Sequence, residues 1–185
     1  MPTEISGSTG VNKIQDGTVA VADFASGARG GTTNASKWWA GNWTNSGEVV
    51  PIDGTWTYEL YSGLNMSETG GVFTFPETGI WEVYAVATFY KSDTSALNTE
   101  NVGISIQWGN DTDGWNANGV NGHNHFDSPG DDWWRSQVHA TQIIDITNTS
   151  TVKVRFRSYI NGGTALYTAA DQGAGGFIFK RLGDT

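Results

Sequence analysis

Asn110-Asp111-Thr112-Asp113-Gly114 sets two carboxylates one residue apart just ahead of a glycine, a grouping able to wrap a hard cation. No glutamate follows at the spacing that would supply a bidentate ligand, so an Asx-rich turn is expected there rather than an ion site. Asp111 and Asp113 are the residues that would ligate an ion if one were held. His123-Asn124-His125 is the second grouping: on a strand both imidazoles would share a face and offer nitrogen to a transition metal. Gly122 and Pro129 predict an irregular loop instead, which leaves His123 and His125 as solvated side chains. His139 stands alone in a strand-like run and reads as structural. No cofactor is expected.

Nine tryptophans in 185 residues raise a carbohydrate reading. Trp38, Trp39, Trp43, Trp115, Trp133 and Trp134 all lie among Gly, Asn, Asp or Ser, where an indole could stack on a sugar while neighbouring polar groups bond its hydroxyls. Trp115, Trp133 and Trp134 are the chosen glycan-binding candidates. The competing reading places these rings at the ends of a sandwich or in a subunit interface. Asp131 and Asp132 are adjacent, and neighbours in a loop rarely hold two carboxylates at glycosidase separation. There is no G-x-S-x-G elbow, no glycine loop leading to a phosphate-binding lysine and no cysteine nucleophile. The chain is therefore expected not to be an enzyme.

Composition narrows the partners. The formal net charge is -9, with only 10 Lys plus Arg, so the surface field repels phosphate backbones and anionic membranes. Neither nucleic-acid binding nor membrane insertion is expected; no apolar stretch approaches a membrane span, and the first residues lack a signal-peptide pattern. Without cysteine, stability must come from packing and from association.

The elements that must carry these groups read as strands. With 25 glycines and frequent Thr and Asn, the chain suits an all-β domain with many tight turns. Strands are expected at residues 55–61, 72–75, 80–90, 102–108, 137–146, 152–160 and 177–182. Between residues 80 and 90, Trp81, Val83, Ala85, Ala87 and Phe89 form a core face. Ile80, Glu82, Tyr84, Val86 and Tyr90 form a second face too aromatic for open water, as expected where a protomer meets another. Val152, Val154 and Phe156 alternate with Lys153, Arg155 and Arg157, one buried and one wet face, the cations pairing with nearby carboxylates. Residues 147–151 are a hairpin turn, and residues 109–135 read as one long polar insert. Residues 1–36 read as an extended docking arm, with Ile14, Val19, Val21 and Phe24 as spaced apolar pegs, ahead of a domain at residues 37–185.

Two segments carry a family resemblance. Phe73-Thr74-Phe75-Pro76-Glu77-Thr78-Gly79-Ile80-Trp81-Glu82-Val83-Tyr84 resembles the mid-domain "F-x-x-P-x-x-G-x-Y-x-F" strand of the tumour-necrosis-factor-like jelly rolls, which include the complement C1q globular heads. Phe73, Pro76 and Gly79 match, whereas Trp81 and Val83 stand where the family has aromatics. Gly176-Phe177-Ile178-Phe179 resembles its last strand, at the centre of the inner sheet. The resemblance spans residues 45–182 and implies a TNF-like jelly-roll β-sandwich that forms a homotrimer, with Trp81, Tyr84, Tyr90, Phe177 and Phe179 as trimer or core contacts. Residues 6–19 are similar in wording to segments of bacteriophage virion proteins. Together these lead to the expectation of a virion-located capsid decoration or cement protein, docked on the major capsid protein or another virion protein through Ile14, Val19, Val21 and Phe24. The alternative is the head of a fibre that binds a host glycan. The absence of heptads, collagen repeats and a β-helical shaft favours decoration.

Overall fold

A computed structural model describes residues 34–40, 44–45, 48–52, 56–91, 100–116, 121–126, 134–161, 166–167 and 176–185. The pegs Ile14, Val19, Val21 and Phe24, and Trp133, lie outside the described residues. Every described element is a strand, and the strands form two antiparallel sheets.

The inner sheet is built on β7 (Gly79–Lys91), which pairs along its whole length with β11 (Trp134–Ile146). On the other edge of β7 runs β14 (Gly176–Gly183), followed by β1 (Ala35–Ala40) and β4 (Trp56–Ser62). Past the end of β14, β13 (Leu166–Tyr167) meets β7 at Tyr90 and is paired in turn by β2 (Thr44–Asn45). The terminal strand thus lies centrally, between β7 and β1, as the family resemblance implied.

The outer sheet runs β10 (Asn121–Phe126), β8 (Glu100–Asn110), β12 (Lys153–Asn161), β6 (Val72–Thr74) and β5 (Ser67–Thr69). The short strand β3 (Glu48–Val49) pairs further along β12, and β9 (Gly114–Trp115) folds back on the end of β8. All seven expected strands are present, within three residues at each end. Two expectations fail. Residues 109–135 are not one long connection, because β9, β10 and the start of β11 lie within it. His123 and His125 stand on a strand rather than in irregular loop: residues 121–126 find a continuous antiparallel partner in residues 100–105, which outweighs the local turn signal of Gly122.

The core follows from alternation. Trp81, Val83, Ala85, Ala87 and Phe89 are all buried, as are Val154 and Phe156 on β12 and Ile104 and Ile106 on β8. Phe73 is fully enclosed, with ring centroids 5.3 Å from Trp38, 4.9 Å from Trp56, 5.6 Å from Phe156 and 5.1 Å from Phe179. Such offset and edge-on pairs suit aromatic quadrupoles. Trp38 itself is 5% exposed and donates its indole N–H to Ser36 Oγ at 3.2 Å, so it is a core residue and not a sugar platform.

One charged cluster ties the terminal strand to the turn before β7. Arg181 is buried; its Nε donates to the Thr78 carbonyl at 3.0 Å and lies 3.1 Å from Glu77, while its Nη2 reaches Asp184. Asn34 joins the same cluster, donating to Glu77 and accepting from the Leu64 amide at 2.6 Å. Gly79 sits against it at φ 139°, where an added Cβ would fall 2.5 Å from the Gly183 carbonyl oxygen and 2.7 Å from Arg181 Nε. The motif glycine is therefore required both for its backbone angle and for space.

Candidate functional site

Two surfaces gather side chains that the core does not consume. The first is the outward face of the inner sheet. Pairing in register places Thr141 on β11, Tyr84 on β7, Ile178 on β14 and Lys37 on β1 in one row. The row beside it holds His139, Val86 and Gly176, and the row on the other side Ile143, Glu82 and Lys180. Tyr84, Val86 and Ile178 are half-buried within the protomer, Ile143 is 60% exposed, and Glu82 pairs with Lys180 at 3.7 Å. His139 is exposed and its ring stacks beside that of Tyr84 at an interplanar angle of 27°, centroids 6.4 Å apart. Of the expected trimer or core contacts, Trp81, Phe177 and Phe179 are core and Tyr84 is on this face; the side chain of Tyr90 lies outside the described residues.

The second surface is a cleft of 360 Å³ on the outward face of the outer sheet, lined by Thr69, Val72, Thr74, Asn110, Asp111, Trp115 and Lys153. Alternation decides its floor: Phe73 and Val154 face the core, so Val72, Thr74 and Lys153 face out, and Lys153 stands opposite Thr74 while Thr69 stands opposite Val72. Its wall is the turn between β8 and β9. Asn110 organises that turn, its Oδ1 accepting from the amides of Thr112 and Asp113, each at 2.7 Å, and its Nδ2 donating to the Thr151 carbonyl at 2.6 Å and to Asp113 at 2.8 Å. This is the Asx-rich turn that the sequence predicts. The carboxylates are drawn to separate partners, Asp111 accepting the Trp115 indole N–H at 2.7 Å and Asp113 accepting from Asn110. No group of three metal-ligating side chains comes together among the described residues.

The turn holds Trp115 against the sheet. The Arg155 guanidinium lies 4.1 Å from the centre of the indole, a close cation–π contact, and is steadied by Nε donating to Gln107 at 2.8 Å. Burial pushes Arg155 below its ordinary value, and the negative charge of Asp111 acts the other way. Arg157 pairs with Glu48 at 2.6 Å, as expected of a cation on the wet face of β12. Lys153 has no ion-pair partner among the described residues.

Of the glycan candidates, the structure thus builds Trp115 into a cleft. Trp134 begins β11 with its side chain outside the described residues, as are those of His123 and His125. Sequence reasoning identified Lys153 and Trp115 separately and missed Thr69, Val72 and Thr74. The signal was available in the core positions Phe73 and Phe75, which turn Val72 and Thr74 outward, but which strand would lie beside them was not.

No protein-family model and no curated protein matches the sequence. Solved structures do match in fold. Eiger TNF from S. frugiperda superposes with a TM-score of 0.62 at 13% identity, covering 83% of this chain and 94% of that one. Murine APRIL at pH 5.0 superposes with a TM-score of 0.57 at 11% identity, covering 81% and 100%. At these identities the likeness is one of fold: the chain is a TNF-like jelly-roll β-sandwich.

Proposed function

We propose that the chain is a non-enzymatic, self-associating structural protein of a virus particle, a homotrimer that decorates the capsid and docks on a shell protein through its amino-terminal residues. The observation that carries self-association is the half-buried apolar patch of Tyr84, Val86 and Ile178 with Ile143 beside it, on a sheet face that a second copy would cover. The wording of residues 6–19 and the spaced pegs Ile14, Val19, Val21 and Phe24 support the docking part. The test is sedimentation of the protein with undecorated virus heads, full length against a form lacking residues 1–33. That truncation keeps Asn34, whose bonds to Glu77 and Leu64 belong to the folded domain. Saturable binding of the full-length protein alone is expected; binding by neither form refutes decoration.

A second reading, the glycan-binding head of a fibre, is favoured by the cleft beneath Trp115. A cleft of 360 Å³ lies within the range of small-ligand sites, and its mixture of one indole, hydroxyls and charged groups suits a sugar. Failure of both forms to bind heads, with retention on glycans that Trp115→Ala abolishes, would select this reading.

A further inference from the structure

We propose that the cleft between Trp115 and β5–β6 binds a carboxylate-bearing sugar, a uronic or sialic acid, with Lys153 as the residue that selects the acid over its neutral counterpart. The inference rests on the glycan-binding reading of this cleft and adds the ligand's charge. Three observations converge. Lys153 is half-buried in the cleft lining and, unlike Arg157 and Lys180, has no carboxylate partner among the described residues. An ammonium partly removed from water and left unpaired gains most from an incoming anion.

The one carboxylate of the lining is already occupied. Asp111 accepts the Trp115 indole N–H, lies close enough to Arg155 to act on its charge, and makes no ion pair with Lys153. Lys153 is thus the cleft cation left without an ion-pair partner among the described residues, although the chain as a whole carries -9. The hydroxyls of Thr69 and Thr74 make no hydrogen bond among the described residues and are free to meet sugar hydroxyls, while Val72 and the Trp115 ring offer an apolar floor and edge. A free carboxylate such as acetate would use only Lys153. A neutral hexose would use everything except it.

The ring is also pre-positioned, which lowers the ordering cost of binding. Arg155 holds one side of the indole, Asp111 its N–H, and Asn110 the turn that presents it.

The experiment is an NMR titration of the full-length protein with methyl glucuronide, methyl glucoside and sodium acetate, following the Trp115 indole N–H, which Trp115→Phe assigns. The glucuronide is expected to bind about fivefold more tightly than the glucoside, the gain of one half-exposed charge pair, and acetate more weakly than either. Lys153→Met should equalise the two sugars, and Lys153→Arg should keep the preference, which separates loss of charge from loss of fold. Thr74→Val should weaken both sugars about threefold, the effect of one neutral hydrogen bond. Equal affinities in the parent protein, a preference that survives Lys153→Met, or acetate matching the glucuronide would each overturn acid selection. If the two sugars bind equally at Trp115, the glycan reading stands without the charge; if neither moves that signal, both fall.

Discussion

If the proposed homotrimer forms through the outward face of the inner sheet, Tyr84→Asp is expected to convert it to a folded monomer. Tyr84 occupies the middle of the outward face of the inner sheet, flanked in register by Ile178 on β14 and Thr141 on β11. It is partly buried within the protomer, so covering by a second copy would remove at most about a third of its surface, about 1 kcal/mol. A carboxylate in its place loses that gain and is itself partly desolvated, a further cost of about 2 kcal/mol when it keeps some water. The neighbouring Glu82 adds like charge, and Lys180 is already paired with it. Three copies lose about 9 kcal/mol, more than six decades in the trimerisation constant and about three decades in the midpoint concentration. A trimer formed at micromolar concentration should dissociate up to millimolar. Sedimentation velocity reads the mass directly, circular dichroism checks the fold, and Ser150→Asp on the exposed β11–β12 turn serves as control. A parent chain that is monomeric at micromolar concentration, or a Tyr84→Asp variant that stays trimeric with its fold intact, refutes the assignment of this face.

Gly79→Ala should cost about 3 kcal/mol, because the added Cβ meets the Gly183 carbonyl oxygen and Arg181 Nε at a φ of 139°; a fall in melting temperature of about 10 °C by calorimetry is the expected reading, and an unchanged value would refute it. Phe73→Ala empties the centre of the aromatic cluster and should cost about 4 kcal/mol, seen in urea unfolding as a lower midpoint at constant slope. Tyr61 donates to Glu59 at 2.8 Å, which holds its phenol above the ordinary value, since the bond favours the neutral form and the adjacent charge disfavours the phenolate. Glu59→Gln should bring that titration down, as followed by ultraviolet difference spectra, and a titration that stays raised would discredit the contact.

The sandwich was legible because its strands repeat with period two around few and very apolar positions. Trp81 to Phe89, and Val154 with Phe156, have a buried face whichever strand lies alongside. The motif from Phe73 to Gly79 was legible for a related reason: the close approach of Gly183 and Arg181 leaves only glycine at position 79. Residues 121–126 were not legible, since Gly122, two histidines and two asparagines have little strand preference of their own and are extended by pairing with β8. Trp38 misled for the same reason in reverse. Its neighbours are polar, but its burial is set by Phe73, 35 positions away. The cleft was half legible: Trp115 and Lys153 announce themselves, whereas Thr69, Val72 and Thr74 join them only through the β5–β6–β12 register.

The two candidate surfaces face away from the core on opposite sheets, and this separation makes a further prediction. Tyr84 and Ile178 belong to the outward face of the inner sheet, and Lys153 and Thr74 to that of the outer sheet, so no side chain is shared between them. Covering the first by a second copy leaves the second open, and each trimer would display three equivalent clefts. A monomer made by Tyr84→Asp should then bind methyl glucuronide in solution with the affinity of the parent protein. On a surface coated with the same sugar the monomer should be retained about a hundredfold more weakly, because linked sites bind successively at high effective concentration. Equal retention of monomer and trimer would mean that the three clefts cannot engage one surface together. A loss of affinity in solution would mean instead that assembly shapes the cleft, contrary to the separation of the two faces.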